Sequence, residues 1–135
     1  MGAGKIILLY LISLGSFLAI DFFWLGVVAR DFYRNNLGEM MRDPVNWPAA
    51  FSFYLIFVAG AMLLVILPSL NEGSISKAVI MGFIFGVVAY STYDLTNLAT
   101  LQNWPLKMAL VDIVWGGALS SAVSLVGFAV GHWAF

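Results

Sequence analysis

There is no cysteine among the 135 residues, and the one histidine, His132, stands near the C-terminal end. Disulfides, thiolate metal sites and thiol catalysis are therefore excluded. A histidine-rich metal centre or a Ser–His pair lacks its material too, and no HExxH or phosphate-cradling glycine loop occurs. Charge is scarce as well. Charged residues make up 10% of the chain, against about 25% in soluble domains, and a net charge of −1 offers no basic patch for nucleic acid. What remains for an enzyme is a pair of carboxylates acting on a lipid-borne substrate, and nothing in the sequence calls for it.

Hydrophobic residues fill the space that charge leaves, at 62% of the chain, which identifies a membrane protein. Four apolar runs are long enough to cross a bilayer, at about 5–29, 48–67, 77–101 and 105–131. Short connections between them leave no room for a separate soluble domain. The expected fold is all-α: one polytopic domain over 1–135, an antiparallel four-helix transmembrane bundle. No small-residue cleavage motif follows the first run, so it is expected to stay as a helix.

Punctuation between the runs sets the expected boundaries. Asn46-Trp47-Pro48 and Asn103-Trp104-Pro105 each open an even-numbered span, with Asn suited to cap, Trp to the headgroup level and Pro to the first turn. Pro68 is expected to stop the second span, and Ser74 or Ser76 to cap the third. The connection from Arg30 to Pro44 carries charges and aromatics together, and its first half fits a short amphipathic helix lying in the interface.

Of the charged residues, only Asp21, Asp94 and Asp112 lie inside spans. An aspartate at a helix centre costs about 2.5 to 3.5 kcal/mol on insertion scales, so each needs compensation. At about 1.5 Å per residue, all three fall roughly 12 to 15 Å below the same face. Trp24, Tyr54, Tyr93, Asn97 and Trp115 belong to that layer, and Tyr90, Asp94 and Asn97 share one helix face by spacing. No lysine, arginine or histidine reaches it. The spacing Asp21-x-x-Trp24 recurs as Asp112-x-x-Trp115, which puts an indole N–H one turn from each carboxyl.

Such a layer fits a site that binds or moves protons, a cation or a small cationic ligand, with aromatic faces beside the charge. Coupled titration of the three acids is expected. If a metal is held, Asp21, Asp94 and Asp112 are its candidate ligands, and hard oxygen donors favour a divalent cation such as calcium or magnesium, although none is required. The plain alternative is that the aspartates only staple helices together. Besides the lipid bilayer, a second copy of the chain is a candidate partner, because Gly60, Gly82, Gly86, Gly116 and Gly117 with Ser120, Ser121 and Ser124 make flat helix faces.

Three segments carry a family resemblance: Asp21-Phe-Phe-Trp-Leu-Gly26 with Arg30-Asp-Phe-Tyr33, Tyr93-Asp-Leu-Thr-Asn-Leu-Ala-Thr100 followed by Trp104-Pro105, and Asp112-Ile-Val-Trp-Gly116. The chain resembles, over essentially its whole length, the bacterial membrane proteins grouped as Domain of Unknown Function 2177. That resemblance implies a four-span inner-membrane protein and implies no activity.

Overall fold

In the computed structural model, which describes Met1–Phe135, the chain is helical nearly throughout and has no strand. Four helices are long and apolar enough to span a membrane: α1 (Ala3–Val28), α3 (Trp47–Glu72), α4 (Ile75–Thr100) and α5 (Leu106–Ala134). The short α2 (Arg30–Leu37) lies between the first two. This is an all-α transmembrane bundle.

Local chemistry explains most of the boundaries. The Asn46 side chain accepts from Ala49 N at 3.3 Å, and Pro48 sits in the first turn where its missing N–H costs nothing. Ser74 caps α4 by accepting from Lys77 N at 3.1 Å. Asn103, in contrast, does not cap. It takes a left-handed φ of 64°, Pro105 occupies the cap position, and α5 starts at Leu106.

Pro68 does not stop α3. A π turn over Met62–Ile66 precedes it, and the helix resumes over Leu67–Glu72 before Gly73 ends it at φ 62°. The wider turn shifts the hydrogen-bond register just where proline has no N–H to give, so the helix passes through. A second π turn, Trp24–Val28, ends α1, closed by Ala29 N donating to Trp24 O at 2.7 Å.

The interior is apolar and aromatic. Phe17 of α1 is fully buried, its ring centroid 5.4 Å from Tyr54 and 5.2 Å from Phe57 of α3. Leu9, Val58, Met62, Ile66, Leu119 and Val123 complete the cluster from α1, α3 and α5. The closest helix pair is α4 with α5, and glycine makes it so. A methyl group at Gly86 would run into the Gly116 carbonyl and lie 2.6 Å from Ser120 Cβ, while one at Gly82 would lie 2.7 Å from Ser124 Oγ. The Gly60 position is met by Phe85, and Gly117 by Phe83. These small-residue faces are thus filled from within one chain.

Candidate functional site

Toward the end of the bundle where α1 finishes and α5 begins, the helices part around a cavity of about 450 Å³. α1 contributes Asp21 and Leu25, α2 Tyr33 and Leu37, and α3 Ala50, Phe53 and Tyr54. From α4 come Ala89, Tyr90, Tyr93 and Asp94, and from α5 Met108, Asp112 and Trp115, with Trp104 of the preceding turn closing the wall. A size of a few hundred cubic ångströms, with mostly apolar walls and a few convergent polar groups, is what small-molecule sites have. No basic side chain takes part in the lining.

The three aspartates have different surroundings. Asp21, buried, accepts from Trp115 Nε1 at 3.1 Å. Asp112 accepts from the Tyr33 hydroxyl at 2.7 Å, and that hydroxyl in turn accepts from Trp24 Nε1 at 3.1 Å. The two indoles stack with centroids 4.3 Å apart and planes 8° from parallel. Because α1 and α5 run antiparallel, each Asp-x-x-Trp segment serves the other: Trp115 bonds Asp21 directly, and Trp24 reaches Asp112 through Tyr33. The repeated spacing is a reciprocal contact between helices.

Asp94 stands apart. Its side chain is wholly buried, and no N–H or O–H of the protein donates to either oxygen. It faces the carboxyl of Asp112, an acceptor against an acceptor unless one carries a proton. An uncompensated carboxyl in an apolar interior is costly enough to call for an explanation. Across the same cavity, Trp104 Nε1 is a buried donor without an acceptor. The site thus holds one orphan acceptor group and one orphan donor.

Tyr54 lines the wall from α3, its ring edge-on to Phe22 and Phe51, and Tyr93 lines it from α4 with its ring perpendicular to Trp104 at 5.7 Å. Asn97 does not join them. It is half-buried beside Tyr93, one turn nearer the membrane face and outside the lining. Nor do the three carboxyls converge on one point, since no group of three acidic or histidine side chains is close enough to hold a metal ion.

Tyr33, Tyr90 and Trp104 are lining residues absent from the layer computed by helical rise. Tyr33 arrives because α2 folds back under its amphipathic face, which hides Tyr33 and exposes Arg30, Asp31 and Arg34. Burial, with the Asp112 carboxylate beside it, holds the Tyr33 phenol above the ordinary tyrosine range, so it remains a donor. The amphipathic spacing of 30–37 was the available signal for it. Trp104 is carried inward by the turn at Asn103, which no periodicity announces.

A family model described as "Predicted membrane protein (DUF2177)" matches residues 6–129. No curated protein and no solved structure matches the chain.

Proposed function

The chain belongs to this DUF2177 family of membrane proteins, and on that footing we propose that it is a membrane-embedded binding protein for a small organic cation, with Asp94 as the counter-charge and proton-exchanging group. The observation that carries this is Asp94 itself: a fully buried carboxyl with no donor, set in the wall of a 450 Å³ cavity lined by tyrosine and tryptophan. Aromatic faces attract cations that have shed water, and a carboxylate supplies the charge balance. Protons and the organic cation would compete for Asp94, with the Asp112 carboxyl beside it. A divalent metal suits the geometry less well, because the acids do not converge. The bilayer proposed is the bacterial inner membrane.

The stapling alternative has support at two of the three acids, where Asp21 and Asp112 bind donors on other helices. At Asp94 it has only a proton shared with the neighbouring Asp112 carboxyl to offer. Asp21 and Asp112 are accordingly assigned to positioning and Asp94 to the ligand. The test is titration of the purified protein in detergent with tetraphenylphosphonium, followed by tryptophan fluorescence, since Trp104 and Trp115 are in the wall. Saturable binding, weakened at low pH and lost in a folded Asp94→Asn variant, is expected. Absence of saturable binding at every pH from about 5 to 9, a range spanning the titration of perturbed carboxyls, would overturn the proposal.

A further inference from the structure

The cavity's walls differ in how tightly they are closed. α2 supplies Tyr33 and Leu37 to one wall, tied down by the Tyr33 hydroxyl between Trp24 and Asp112. α1 packs on both α3 and α5, and α4 packs along α5 over its length. Between α3 and α4 the closure is only partial. α4 meets the backbone of α3 at the Met62–Ile66 turn, and farther up it is propped off by rings, Phe57 against Phe85 at 5.1 Å and Phe53 against Tyr90 at 6.2 Å. Above Phe53 no hydrogen bond or ring contact joins the two helices.

Phe53, whose ring meets Tyr90 of α4 across that gap, lines the cavity and is 42% exposed, and Tyr93, one turn beyond Tyr90 along α4, also lines it and is 56% exposed. Each lies well inside its helix, six residues after Trp47 and seven before Thr100, or roughly 10 Å below the face. At that depth the surroundings are acyl chains, not water. An opening between α3 and α4 at that depth would face acyl chains. Behind it stand the orphan carboxyl of Asp94 and the orphan N–H of Trp104.

Resting on the proposed cation site, we infer that its ligand is a membrane-dissolved amphiphilic amine whose head also bears an oxygen, entering sideways between α3 and α4. A rotation of the Asp94 and Trp104 side chains, whose polar atoms lie closed off in the wall, lets the ammonium donate to Asp94 and the oxygen accept from Trp104 Nε1, and both buried groups gain the partners they lack. The tail need not fit inside. It passes Phe53 and Tyr93 and stays among the lipid chains, so the cavity has to house only the head and the first few methylenes.

The test uses the whole protein in lipid nanodiscs, with bound tetraphenylphosphonium displaced by octylamine, stearylamine and sphinganine. Stearylamine has a tail about as large as the cavity. If the tail remains in lipid, each added methylene favours bilayer and complex equally, so affinities referred to the membrane concentration of amine stay within about threefold from octylamine to stearylamine. A stearylamine affinity weaker than that of octylamine by about tenfold or more would show a closed cavity reached from water and overturn lateral entry. Sphinganine, which adds hydroxyl groups to the same tail, is expected to bind about tenfold tighter than stearylamine, an advantage lost in Trp104→Phe. Equal affinity of the two in the wild type would overturn the assignment of the head group. Failure of tetraphenylphosphonium itself to bind would instead remove the cation site on which the inference rests.

Discussion

Polar groups without partners occur in both halves of the bundle, but they sit in different packing. In the half beyond Gly86, the hydroxyls of Ser13, Ser69, Ser120 and Ser124 are fully buried and bond to nothing, and a glycine of a neighbouring helix packs against Ser13, Ser120 and Ser124. In the other half, Asp94 and Trp104 Nε1 are also orphaned, and a cavity of about 450 Å³ lies beside them. A buried hydroxyl is small and neutral, and closing helices around it yields the dispersion contacts that hold membrane bundles together. A carboxyl costs more to leave unpaired, and here the helices part instead of closing. The difference separates a half that holds the bundle together from the half proposed to receive a ligand.

The largest expected effect comes from forcing the closed half open. In Gly86→Val the new side chain meets the Gly116 carbonyl, and neither helix can yield without separating along α4 and α5. We expect a loss of at least about 3 kcal/mol, or no folded protein at all, measured by thermal unfolding in detergent. Gly15→Ala is the control, since a methyl there meets nothing within 4 Å and faces outward. It should be neutral or gain up to about 1 kcal/mol from helix propensity. Equal effects at the two glycines would mean that close approach is not what joins α4 to α5.

In the receiving half the sign reverses. Asp94→Leu removes an acceptor served by no N–H and keeps its branching, the larger side chain having a cavity beside it to fill, so stability should rise by about 1 to 3 kcal/mol even as tetraphenylphosphonium binding disappears. A drop in melting temperature would show that the carboxyl holds the helices after all, and the two halves would then be alike.

Tyr33→Phe tests the tie between α2 and the bundle. It takes the donor from Asp112 and the acceptor from Trp24 Nε1 together, and a loss of about 1 to 3 kcal/mol is expected. The pH dependence follows from the raised phenol. Below about pH 10, Tyr33 is neutral in folded and unfolded chain alike, and its contribution is constant. Above that, the unfolded chain ionises first while the folded chain keeps its proton, so stability falls as pH rises. Alkaline melts should show a shallower fall in Tyr33→Phe, and an unchanged slope would place the phenol outside the tie.

Both halves were legible in the sequence to different degrees. Spans, and the depth of Asp21, Asp94 and Asp112, follow from length and rise per residue alone, because lipid leaves a helix no other way to satisfy its backbone. The Asp-x-x-Trp repeat pointed to an indole donor for each acid: with α1 antiparallel to α5, Trp115 does serve Asp21, but Asp112 takes its hydrogen bond from Tyr33 and Trp24 stops one link short. Tyr33 and Trp104 were not legible as site residues, since a folded-back helix and a left-handed turn bring them in, and both are tertiary matters. Asn97 misled for the opposite reason: it lies on the stripe of Tyr90 and Asp94, but the cavity ends before it. Pro68 misled because the π turn ahead of it absorbs the missing N–H.

A finer contrast lies within the receiving half, between the two Asn-Trp-Pro triplets that sequence alone makes equivalent. Asn46 works through its side chain, capping α3, whereas Asn103 works through its backbone, turning at φ 64° so that Trp104 points into the cavity. The same residue type should therefore respond differently to the same change. Asn46→Ala loses the cap and should cost about 1 kcal/mol, while Asn46→Gly, tolerated at cap positions, should cost a few tenths. At Asn103 the left-handed backbone sets the order: Asn103→Ala should cost about 1 to 2 kcal/mol, and Asn103→Gly should be within about 0.5 kcal/mol of neutral. Thermal melts of the four variants decide between the roles. A cost for Asn103→Gly matching that of Asn46→Ala would show that the Asn103 side chain, not its φ angle, keeps Trp104 over the site.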